Sequence, residues 1–523
     1  MHIPLTPVRC LYRAVDLYGS KEGVVCGTHR FTYAEFGERC ERLAAARGSL
    51  GVLPGDRGAY LSFNTHKRLE GYFGVIQAGA IVAPLNVRLT APELIQILNH
   101  CEARVVLFEN DFAPLIEHFR KDCPAIEHYI ALDGPEYEAS LARATPRRSD
   151  IMSFDEASPA EIFYTSGSTG TPKGVLLCHR TLYLHAMNVA LSTTNNDTGI
   201  DLHTIPLFHA NGWGLPQACT MMGRKQVMVR RFEPTTVFRL IEQERATGML
   251  LVPVMAGALL MSPDREKFDL SSLELIMLGG AASSPELCRR LEDAFHCLAQ
   301  SGYGLTETSP VATGARKKGT VAYKDEAERF RRQAMAGWPL PGTEVHVVDG
   351  AMNQVPRDMH TIGEVVVRGD CVMDGYFREP AATAAVMSGA WLHTGDMAVW
   401  DEENYVHIVD RKKDIIISGG ENISSIEVER AIAAHSAVME CAVVSAPDEK
   451  WGEIPVAFVV LKPDETLSQA TLAEFVAERL AKFKMPRAWF FRSEPLPKTG
   501  TGKILKRDLR EPFWQDKTKR VQG

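Results

Sequence analysis

A glycine- and hydroxyl-rich stretch, "YTSGSTGTPKG" at residues 164–174, has the composition of a loop that binds phosphate. Glycines adopt positive φ angles without steric cost, so successive backbone N–H groups can converge on an anion. The hydroxyl groups add uncharged donors, and Lys173 adds a positive charge. The strand-like segments "EIFY" and "GVLL" on either side argue against a flexible surface linker. We therefore expect a loop between two strands that holds a phosphorylated ligand.

This stretch does not fit the P-loop of kinases and ATPases, which requires G-x-x-x-x-G-K-[ST]. Five residues after Gly167 comes Pro172, and five residues after Gly170 comes Val175. Gly174 follows Lys173, where the P-loop has Ser or Thr. The spacing therefore excludes a Walker-type nucleotide site.

Five further motifs follow along the chain: "FHANGWG" at 208–214, "YGLTET" at 303–308, "HTGDMAVW" at 393–400, "VDRKKDIIISGGENIS" at 409–424 and "PKTGTGKI" at 497–504. In this order and spacing, together with residues 164–174, they resemble the adenylate-forming superfamily of acyl-CoA synthetases, peptide-synthetase adenylation domains and luciferases. The resemblance covers nearly the whole chain. It implies that a carboxylate attacks the α-phosphate of ATP to give acyl-AMP and pyrophosphate, and that a thiol then displaces AMP.

The resemblance also implies which residues bind the nucleotide. The loop would hold the β- and γ-phosphates through residues with small or donor groups: Thr165, Ser166, Gly167, Ser168, Thr169, Gly170, Thr171 and Lys173. The purine would lie along small residues and beneath an aromatic ring, at Gly280, Ala281, Ala282, Tyr303 and Gly304. Asp396 would accept hydrogen bonds from both ribose hydroxyls, and Arg411 would make a second nucleotide contact.

The catalytic residues implied by the resemblance surround the reacting carboxylate and α-phosphate. Thr306 would bond the α-phosphate, and Glu307 would bind Mg²⁺, a hard cation that prefers oxygen ligands. Lys503, in the loop "PKTGTGK", would reach the acyl carboxylate in the first step only. His209 would border the carboxylate. Two anions react, so cations and amide dipoles around them are the main catalytic device.

The acid and its acceptor are less closely defined. Trp213 is expected to form a wall of the acyl pocket that favours short or medium acids, although an ordinary core tryptophan is a competing interpretation. Long-chain and aryl acids stay open. The chain continues for only about 20 residues beyond Lys503, so we expect a diffusible acceptor, coenzyme A. A carrier protein in trans and a non-catalytic nucleotide-binding relative are the alternatives.

For the second step the resemblance implies a domain rotation about Lys413, which withdraws Lys503. The segment with Ser418, Gly419 and Gly420 would then face the site and line a pantetheine tunnel.

The composition agrees with small-molecule chemistry. The chain has 523 residues, 45% of them hydrophobic, and a net charge of -7, so no basic field favours nucleic acid or an anionic membrane. There is no apolar window of about 18 residues and no N-terminal signal pattern, from which we predict a cytoplasmic enzyme without a membrane span. A homodimer stays open. The 11 scattered cysteines are expected to be reduced and mostly buried.

The elements that must position these residues indicate an α/β fold. Strand-like and helix-like segments alternate through the first 150 residues, which predicts βαβ units and helix-covered, mostly parallel sheets. Further strands are predicted at "GMLLVPVM", "LELIMLGG" and "EVHVVD". The charged run 315–333 is typical of a surface loop and helix. We predict an N-terminal domain at 1–409, a hinge at 410–413 and a small, mobile α+β domain at 414–523.

Overall fold

The computed structural model describes residues 2–46, 52–166, 172–193, 196–419, 421–463, 465–498 and 504–515. The chain forms two compact units. The first contains residues 1–346, 366–393 and 403–406, and the second contains residues 347–365, 394–402 and 407–523. The sequence prediction instead assigned all residues up to 409 to the first domain. The hinge at 410–413 stays a prediction.

Helices and strands are numbered separately along the chain. The α-helices are α1 Val8–Tyr18, α2 Tyr33–Ala46, α3 His66–Gln77, α4 Ala91–His100, α5 Ala113–Asp122, α6 Pro135–Arg143, α7 His179–Thr193, α8 Leu215–Met222, α9 Pro234–Glu244, α10 Pro253–Met261, α11 Pro285–Phe295, α12 Glu326–Gln333, α13 Pro380–Val386, α14 Ser425–Ala433, α15 Gln469–Ala477 and α16 Lys506–Trp514. The strands are β1 Glu22–Cys26, β2 His29–Thr32, β3 Arg57–Leu61, β4 Ile81–Pro84, β5 Ala103–Phe108, β6 His128–Ala131, β7 Pro159–Ser166, β8 Pro172–Cys178, β9 Ile200–His203, β10 Lys225–Met228, β11 Gly248–Leu251, β12 Leu275–Leu278, β13 Leu298–Gly304, β14 Val311–Gly314, β15 Trp338–Pro339, β16 Thr343–Val348, β17 Gly363–Gly369, β18 Gly375–Tyr376, β19 Met387–Ser388, β20 Trp391–Trp400, β21 Val406–Arg411, β22 Ile416–Ser418, β23 Glu421–Ile423, β24 Val438–Asp448, β25 Gly452–Leu461 and β26 Ala488–Arg492.

Two large sheets build the first unit. One has the strand order β15-β14-β13-β12-β11-β9-β10-β1-β2, and the other has β18-β8-β7-β4-β3-β5-β6. In the first sheet, the adjacent strands along the stretch β13-β12-β11-β9-β10-β1 pair in parallel. In the second sheet, the adjacent strands along β7-β4-β3-β5-β6 also pair in parallel. Antiparallel strands extend the edges. The predicted α/β class with parallel-rich sheets is confirmed.

Two smaller sheets complete the fold. One has the order β16-β17-β20-β19, with β21 paired to β20, and the sheet of the second unit has β23-β22-β25-β24, with β26 paired to β25. In the second unit β24 and β25 form a long antiparallel pair whose inward side chains pack against α14 and α15. This mixture of helices and mainly antiparallel strands matches the predicted C-terminal α+β domain.

One predicted strand is shorter than its apolar run. "GMLLVPVM" is strand only over β11, and α10 begins at Pro253, which is the first helical residue. Proline fits that position because its fixed φ suits a helix and its missing N–H would have no intrahelical partner there. The charged run does contain a helix, α12, as predicted.

All 11 cysteines are free, and all but Cys26 are buried, in agreement with the sequence analysis. None of the helices in the described part of the chain has the length and apolar character required to cross a bilayer.

Candidate active site

The strands on either side of the glycine-rich stretch pair with each other. Strands β7 and β8 pair antiparallel, with Thr165 opposite Lys173 and Ser166 opposite Pro172. The expected strands on both sides of the stretch are therefore confirmed, and its role in binding phosphate stays a prediction. The predicted phosphate-binding residues Gly167, Ser168, Thr169, Gly170 and Thr171 lie outside the described residues.

Lys173 is connected to Glu307 through one tyrosine. The ammonium of Lys173 lies 4.8 Å from the ring centroid of Tyr376, and the Tyr376 hydroxyl donates a 2.8 Å hydrogen bond to Oε1 of Glu307. Burial, and secondarily the Glu307 carboxylate, raises the pKa of Tyr376, so its hydroxyl remains a donor. The structure therefore brings the predicted phosphate-loop lysine and the predicted metal ligand together. Sequence reasoning missed Tyr376, which lies in "DGYF", a segment without a chemical signature.

Backbone hydrogen bonds fix the position of Tyr376 between these two elements. β18 pairs with β8, and the N–H of Phe377 donates to the carbonyl of Gly174 at 2.7 Å. Two residues before β18, the N–H of Met373 donates to the carbonyl of Glu307 at 2.8 Å. The hairpin and the "YGLTET" segment are thus held in one register.

A tight turn presents Thr306 and Glu307. β13 ends at Gly304, and a short 3₁₀ turn follows at Thr306–Thr308. A methyl group at Gly304 would lie 1.7 Å from the carbonyl oxygen of Pro310, so only glycine fits. The Ser309 hydroxyl donates to the carbonyl of Cys371 at 2.7 Å and closes the turn from the other side. Tyr303 lies on β13 opposite Thr313.

The small residues after β12 form an exposed strip beside Trp213. Gly280, Ala281 and Ala282 are exposed, and Gly280 has a φ of +73°. The Trp213 ring packs on this strip, since a methyl group at Gly279 would lie 2.9 Å from its Cη2 and one at Gly280 3.4 Å from its Cζ2. The structure therefore brings the predicted purine strip and the predicted acyl-pocket wall together.

Trp213 lies in a left-handed stretch of backbone. The φ angles from Ala210 to Gly214 run from +45° to +75°, so five consecutive residues are left-handed. This costs free energy for residues with a Cβ, and such strain is concentrated at functional sites. His209 comes immediately before this stretch and is half-buried.

His185 on α7 holds the left-handed stretch against the chain after "YGLTET". A methyl group at Gly214 would lie 2.3 Å from Cε1 of His185, and His185 Nε2 accepts a 3.0 Å hydrogen bond from the Val311 N–H. Burial lowers the pKa of His185 to about 3, so the ring is neutral and can accept this bond. No sequence pattern pointed to this residue, because an isolated histidine in a helix is usually a packing residue.

In the second unit, Asp396 and Arg411 form an ion pair. Nε of Arg411 lies 2.7 Å from Oδ1 of Asp396, and Asp396 is only 3% exposed. Arg411 also donates from Nη1 to the carbonyl of Thr394 at 3.3 Å. β20 carries the aspartate and β21 the arginine, and these neighbouring strands bring the two predicted nucleotide contacts together.

The segment predicted to face the site in the second step is a short hairpin. β22 and β23 pair with Ser418 opposite Glu421. Gly419 has a φ of +60°, and its N–H donates to the carbonyl of Trp451 at 2.7 Å. A methyl group there would lie 2.8 Å from the Trp451 ring, so the close approach also requires glycine. Gly420 lies outside the described residues.

The predicted hinge residue, Lys413, contacts helix α16 of the second unit. Lys413 is exposed, and its carbonyl accepts a 2.9 Å hydrogen bond from Arg510 of α16. Lys503 lies outside the described residues. Lys498 and Ile504 on either side of it pair as an antiparallel bridge, and the N–H of Leu505 donates to the carbonyl of Pro497.

Glu307 has the right chemistry for Mg²⁺ but is not part of an all-protein cage. Within the described ranges, no group of three or more His, Cys, Asp and Glu side chains is arranged to hold a metal ion. Mg²⁺ is typically held by one or two carboxylates together with substrate phosphates. Glu307 together with the phosphates of a bound nucleotide would fit that pattern.

The chain matches two protein-family models. The model described as AMP-binding enzyme matches residues 11–377, and that of the AMP-binding enzyme C-terminal domain matches residues 427–503. A long-chain-fatty-acid–CoA ligase of Thermus thermophilus is 37% identical over 96% of this chain and 94% of its own length. A peroxisomal butyrate–CoA ligase of Arabidopsis thaliana is 34% identical over 98% and 93%. Among solved structures, the anthranilate CoA ligase AuaEII in complex with anthranoyl-AMP is similar, with a TM-score of 0.87 and 27% identity over 98% of both chains.

Proposed function

Because this chain belongs to the AMP-binding enzyme family, we propose that it is an AMP-forming carboxylic acid–CoA ligase for a short- or medium-chain acid. It converts the acid and ATP to acyl-AMP and pyrophosphate, and CoA then displaces AMP to give the thioester. The observation that carries this proposal is the contact chain from Lys173 through Tyr376 to Glu307. It supports a site where a phosphate-loop cation and a carboxylate act on the same nucleotide.

In the first step, the positive groups offset the charge of two reacting anions. Lys173 is held over the Tyr376 ring, so its ammonium is available to the β- and γ-phosphates and steadies the departing pyrophosphate. Thr306 donates its hydroxyl to the α-phosphate. Glu307 would hold Mg²⁺, which supplies charge neutralisation on the phosphates when bound. Tyr376 positions the Glu307 carboxylate by donating to Oε1.

Asp396 and Arg411 would bind the ribose side of the nucleotide. Nε of Arg411 lies 2.7 Å from the Asp396 carboxylate, so a carboxylate that can accept hydrogen bonds from ribose hydroxyls and a guanidinium that can donate to the nucleotide lie side by side. Tyr303, Gly280, Ala281 and Ala282 would hold the adenine. His209 would border the acyl carboxylate, and Lys503 would bridge that carboxylate and the α-phosphate.

The second step requires a thiol in place of Lys503. We propose that rotation about Lys413 brings the hairpin with Ser418 and Gly419 to face the acyl-AMP, so that pantetheine passes along a segment whose side chains are small or absent. Two named CoA ligases among the relatives support CoA as the acceptor. A carrier protein would need the same thiol chemistry but a docking surface of its own.

The acid is proposed to be short or medium in length. Trp213 packs its ring on Gly279 and Gly280, which narrows the space beside the predicted adenylate. The related butyrate–CoA ligase supports this class, whereas the related long-chain ligase leaves room for longer acids. A cytoplasmic location and a homodimer stay predictions from the sequence.

Pyrophosphate release, measured over a panel of linear, branched and aryl acids with and without CoA, tests this proposal. We expect release that depends on both the acid and Mg²⁺, and AMP release that free CoA accelerates. If CoA has no effect while a phosphopantetheinylated carrier protein accelerates AMP release, the carrier-loading alternative replaces it. If no acid supports pyrophosphate release, the non-catalytic alternative is favoured.

A further inference from the structure

A fully buried glutamate lies in the strand that leads to the glycine-rich stretch. Glu161 is 0% exposed and belongs to β7, where the neighbouring residues Ala160, Ile162 and Phe163 are buried and apolar. Taking a carboxyl group out of water costs free energy, so an apolar residue would be the expected occupant of this position. The proposed nucleotide contacts do not include Glu161.

One glutamine connects the Glu161 carboxyl group to the left-handed stretch. Nε2 of Gln217 donates to Oε1 of Glu161 at 3.2 Å and to Oδ1 of Asn211 at 3.3 Å. Gln217 and Asn211 are each only 1% exposed. Within the first unit, a buried chain of contacts therefore runs from β7 to the backbone that lies between His209 and Trp213.

The helix that follows the left-handed stretch places Gln217 for this contact. α8 begins at Leu215, directly after Gly214, and Gln217 lies in its first turn. Asn211 has a φ of +54°, a conformation that asparagine adopts more readily than most residues with a Cβ. Asn211 therefore suits the left-handed backbone and also supplies an acceptor for Gln217, which a glycine could not do.

A different amide holds the chain that enters the stretch. The side chain of Asn64 makes three hydrogen bonds of 2.8–2.9 Å to backbone groups between residues 203 and 207. The last of these bonds lies two residues before His209, and the contact of Gln217 with Asn211 lies two residues after it. His209 is thus framed by two buried amide contacts.

Burial favours the neutral form of the Glu161 carboxyl group. It raises the pKa of Glu161 well above the usual value, and the positive charge of Arg68, whose Nη1 donates to the carbonyl of Ser62 at 2.9 Å, offsets this only in part. Oε2 of Glu161 and Oε1 of Gln217 are shielded from solvent and accept no hydrogen bond within the described part of the chain. A proton on Glu161 would supply a donor to this pair of oxygens.

We propose that Glu161 is a positioning residue for the acid site. It holds Asn211 through Gln217, and thereby fixes the backbone that carries His209 and Trp213. Because β7 also leads to the predicted phosphate loop, one strand supports both the phosphate contacts and the acid contacts. This inference rests on the proposed ligase function and adds the residues that set the affinity for the acid.

Gln217→Met removes both hydrogen bonds and nearly keeps the shape of the side chain. With butyrate and octanoate as the acids, we expect its KM for the acid in pyrophosphate release to rise at least tenfold, while the KM for MgATP stays within threefold. A merely destabilised protein would lose active enzyme without a selective change in the KM for the acid. Gln226→Met is the matched control, because Gln226 of β10 is equally buried and donates to Thr220 of α8 at 2.9 Å. It should leave both KM values within twofold.

Two substitutions test the glutamate itself. Glu161→Gln keeps a neutral group with an acceptor for Gln217, so its KM for the acid should stay within threefold of the wild type. Glu161→Met keeps the bulk and removes the acceptor, so its KM for the acid should rise as in Gln217→Met. Thermal unfolding shows whether each variant folds. Asn211→Gly, which suits the left-handed backbone and lacks the acceptor, replaces any variant that does not fold and should show the same rise.

Three results would overturn this inference. If the KM for the acid is unchanged in the folded variants, or rises together with that for MgATP, the three side chains only stabilise the fold and the ligase function stands. Equal impairment of Glu161→Gln and Glu161→Met would also contradict the role of Glu161 as an acceptor. If the wild type releases no pyrophosphate with any acid, the ligase function fails and the inference fails with it.

Discussion

The hydroxyl of Tyr376 donates a 2.8 Å hydrogen bond to Oε1 of Glu307. The ring of the same tyrosine lies beneath the ammonium of Lys173. One side chain therefore contacts both the lysine proposed to bind phosphate and the carboxylate proposed to hold Mg²⁺.

Tyr376→Phe keeps the ring and removes the hydrogen bond. A hydrogen bond to a charged group contributes about 1.5–3 kcal/mol, so we expect kcat/KM for MgATP to fall roughly tenfold or more. The concentration of Mg²⁺ for half-maximal pyrophosphate release should rise as well. Tyr183→Phe is the matched control. Tyr183 on α7 also lies beside a cation, Arg9 of α1, but neither residue belongs to the proposed site. An unchanged Mg²⁺ dependence in Tyr376→Phe would show that the hydroxyl does not position Glu307.

Arg411→Met removes the guanidinium from the buried carboxylate of Asp396. Removing one partner of a fully buried ion pair destabilises a protein by several kcal/mol. The loss should be smaller here, because the Arg411 side chain is one-third exposed and solvent screens its charge. We expect the KM for ATP to rise about ten- to hundredfold with a smaller change in the KM for the acid. Lys412→Met is the control, since Lys412 is exposed and pairs with Glu364 at 3.0 Å. Equal effects of the two variants on the KM for ATP would contradict this role.

His185 predicts a pH dependence of stability. Its pKa is lowered to about 3 in the folded protein, against about 6.5 in the unfolded chain. Between these two pH values the unfolded chain binds more protons at His185 than the folded protein does. The stability that depends on a neutral His185 is therefore fully present above pH 6.5 and is lost as the pH falls towards 3. The slope from one such group is at most about 1.4 kcal/mol per pH unit.

Urea unfolding of the wild type and of His185→Gln at pH 7.5 and 5.5 measures this contribution. Glutamine keeps an acceptor for the Val311 N–H but does not titrate, so the variant should lose less free energy of unfolding on acidification. Parallel losses in the two proteins would mean that His185 is not the group responsible.

Trp213→Ala should shift the acid preference towards longer chains. The variant opens space beside Gly279 and Gly280, and apolar pockets discriminate by about 1–3 kcal/mol per methylene. The kcat/KM profile over C4 to C12 monoacids should move by two or more carbons. Trp391→Ala, at a tryptophan that stacks on His346, is the control. An unchanged chain-length profile in Trp213→Ala would remove this residue from the acyl pocket.

Much of the fold was predictable because its strands are short apolar runs with turn signals between them. "GAYLSF", "IVAPLN" and "RVVLFEN" overlap the strands β3, β4 and β5. Of the two helices between them, α4 buries one face, as an amphipathic pattern predicts, whereas α3 is buried along nearly its whole length. The limits of the two units were not predictable in the same way. They depend on contacts between residues far apart in the chain, which place residues 347–365 and 394–402 with the second unit.

Residues of the proposed site could be named from the sequence where they belong to a motif with its own chemistry. Lys173 and Glu307, and likewise Asp396 and Arg411, were named from separate motifs and are brought together by the fold. Tyr376 and His185 could not be named in this way, because each acts through the residues that it contacts in the fold rather than through its neighbours in sequence. The left-handed backbone from Ala210 to Gly214 was also hidden, since Ala and Trp rarely adopt a positive φ and one Asn between them does not predict five such residues in succession.

The most direct test of the two-step account separates the half-reactions in Lys503→Ala. We predict that this variant loses pyrophosphate release by at least two orders of magnitude, because one well-placed cation contributes roughly 3–4 kcal/mol to the first step. Thioester formation from preformed acyl-AMP and CoA should stay within about threefold of the wild type. Lys498→Ala, whose lysine pairs with Glu440, should leave both rates near the wild type. Equal losses in both half-reactions of Lys503→Ala would contradict the account.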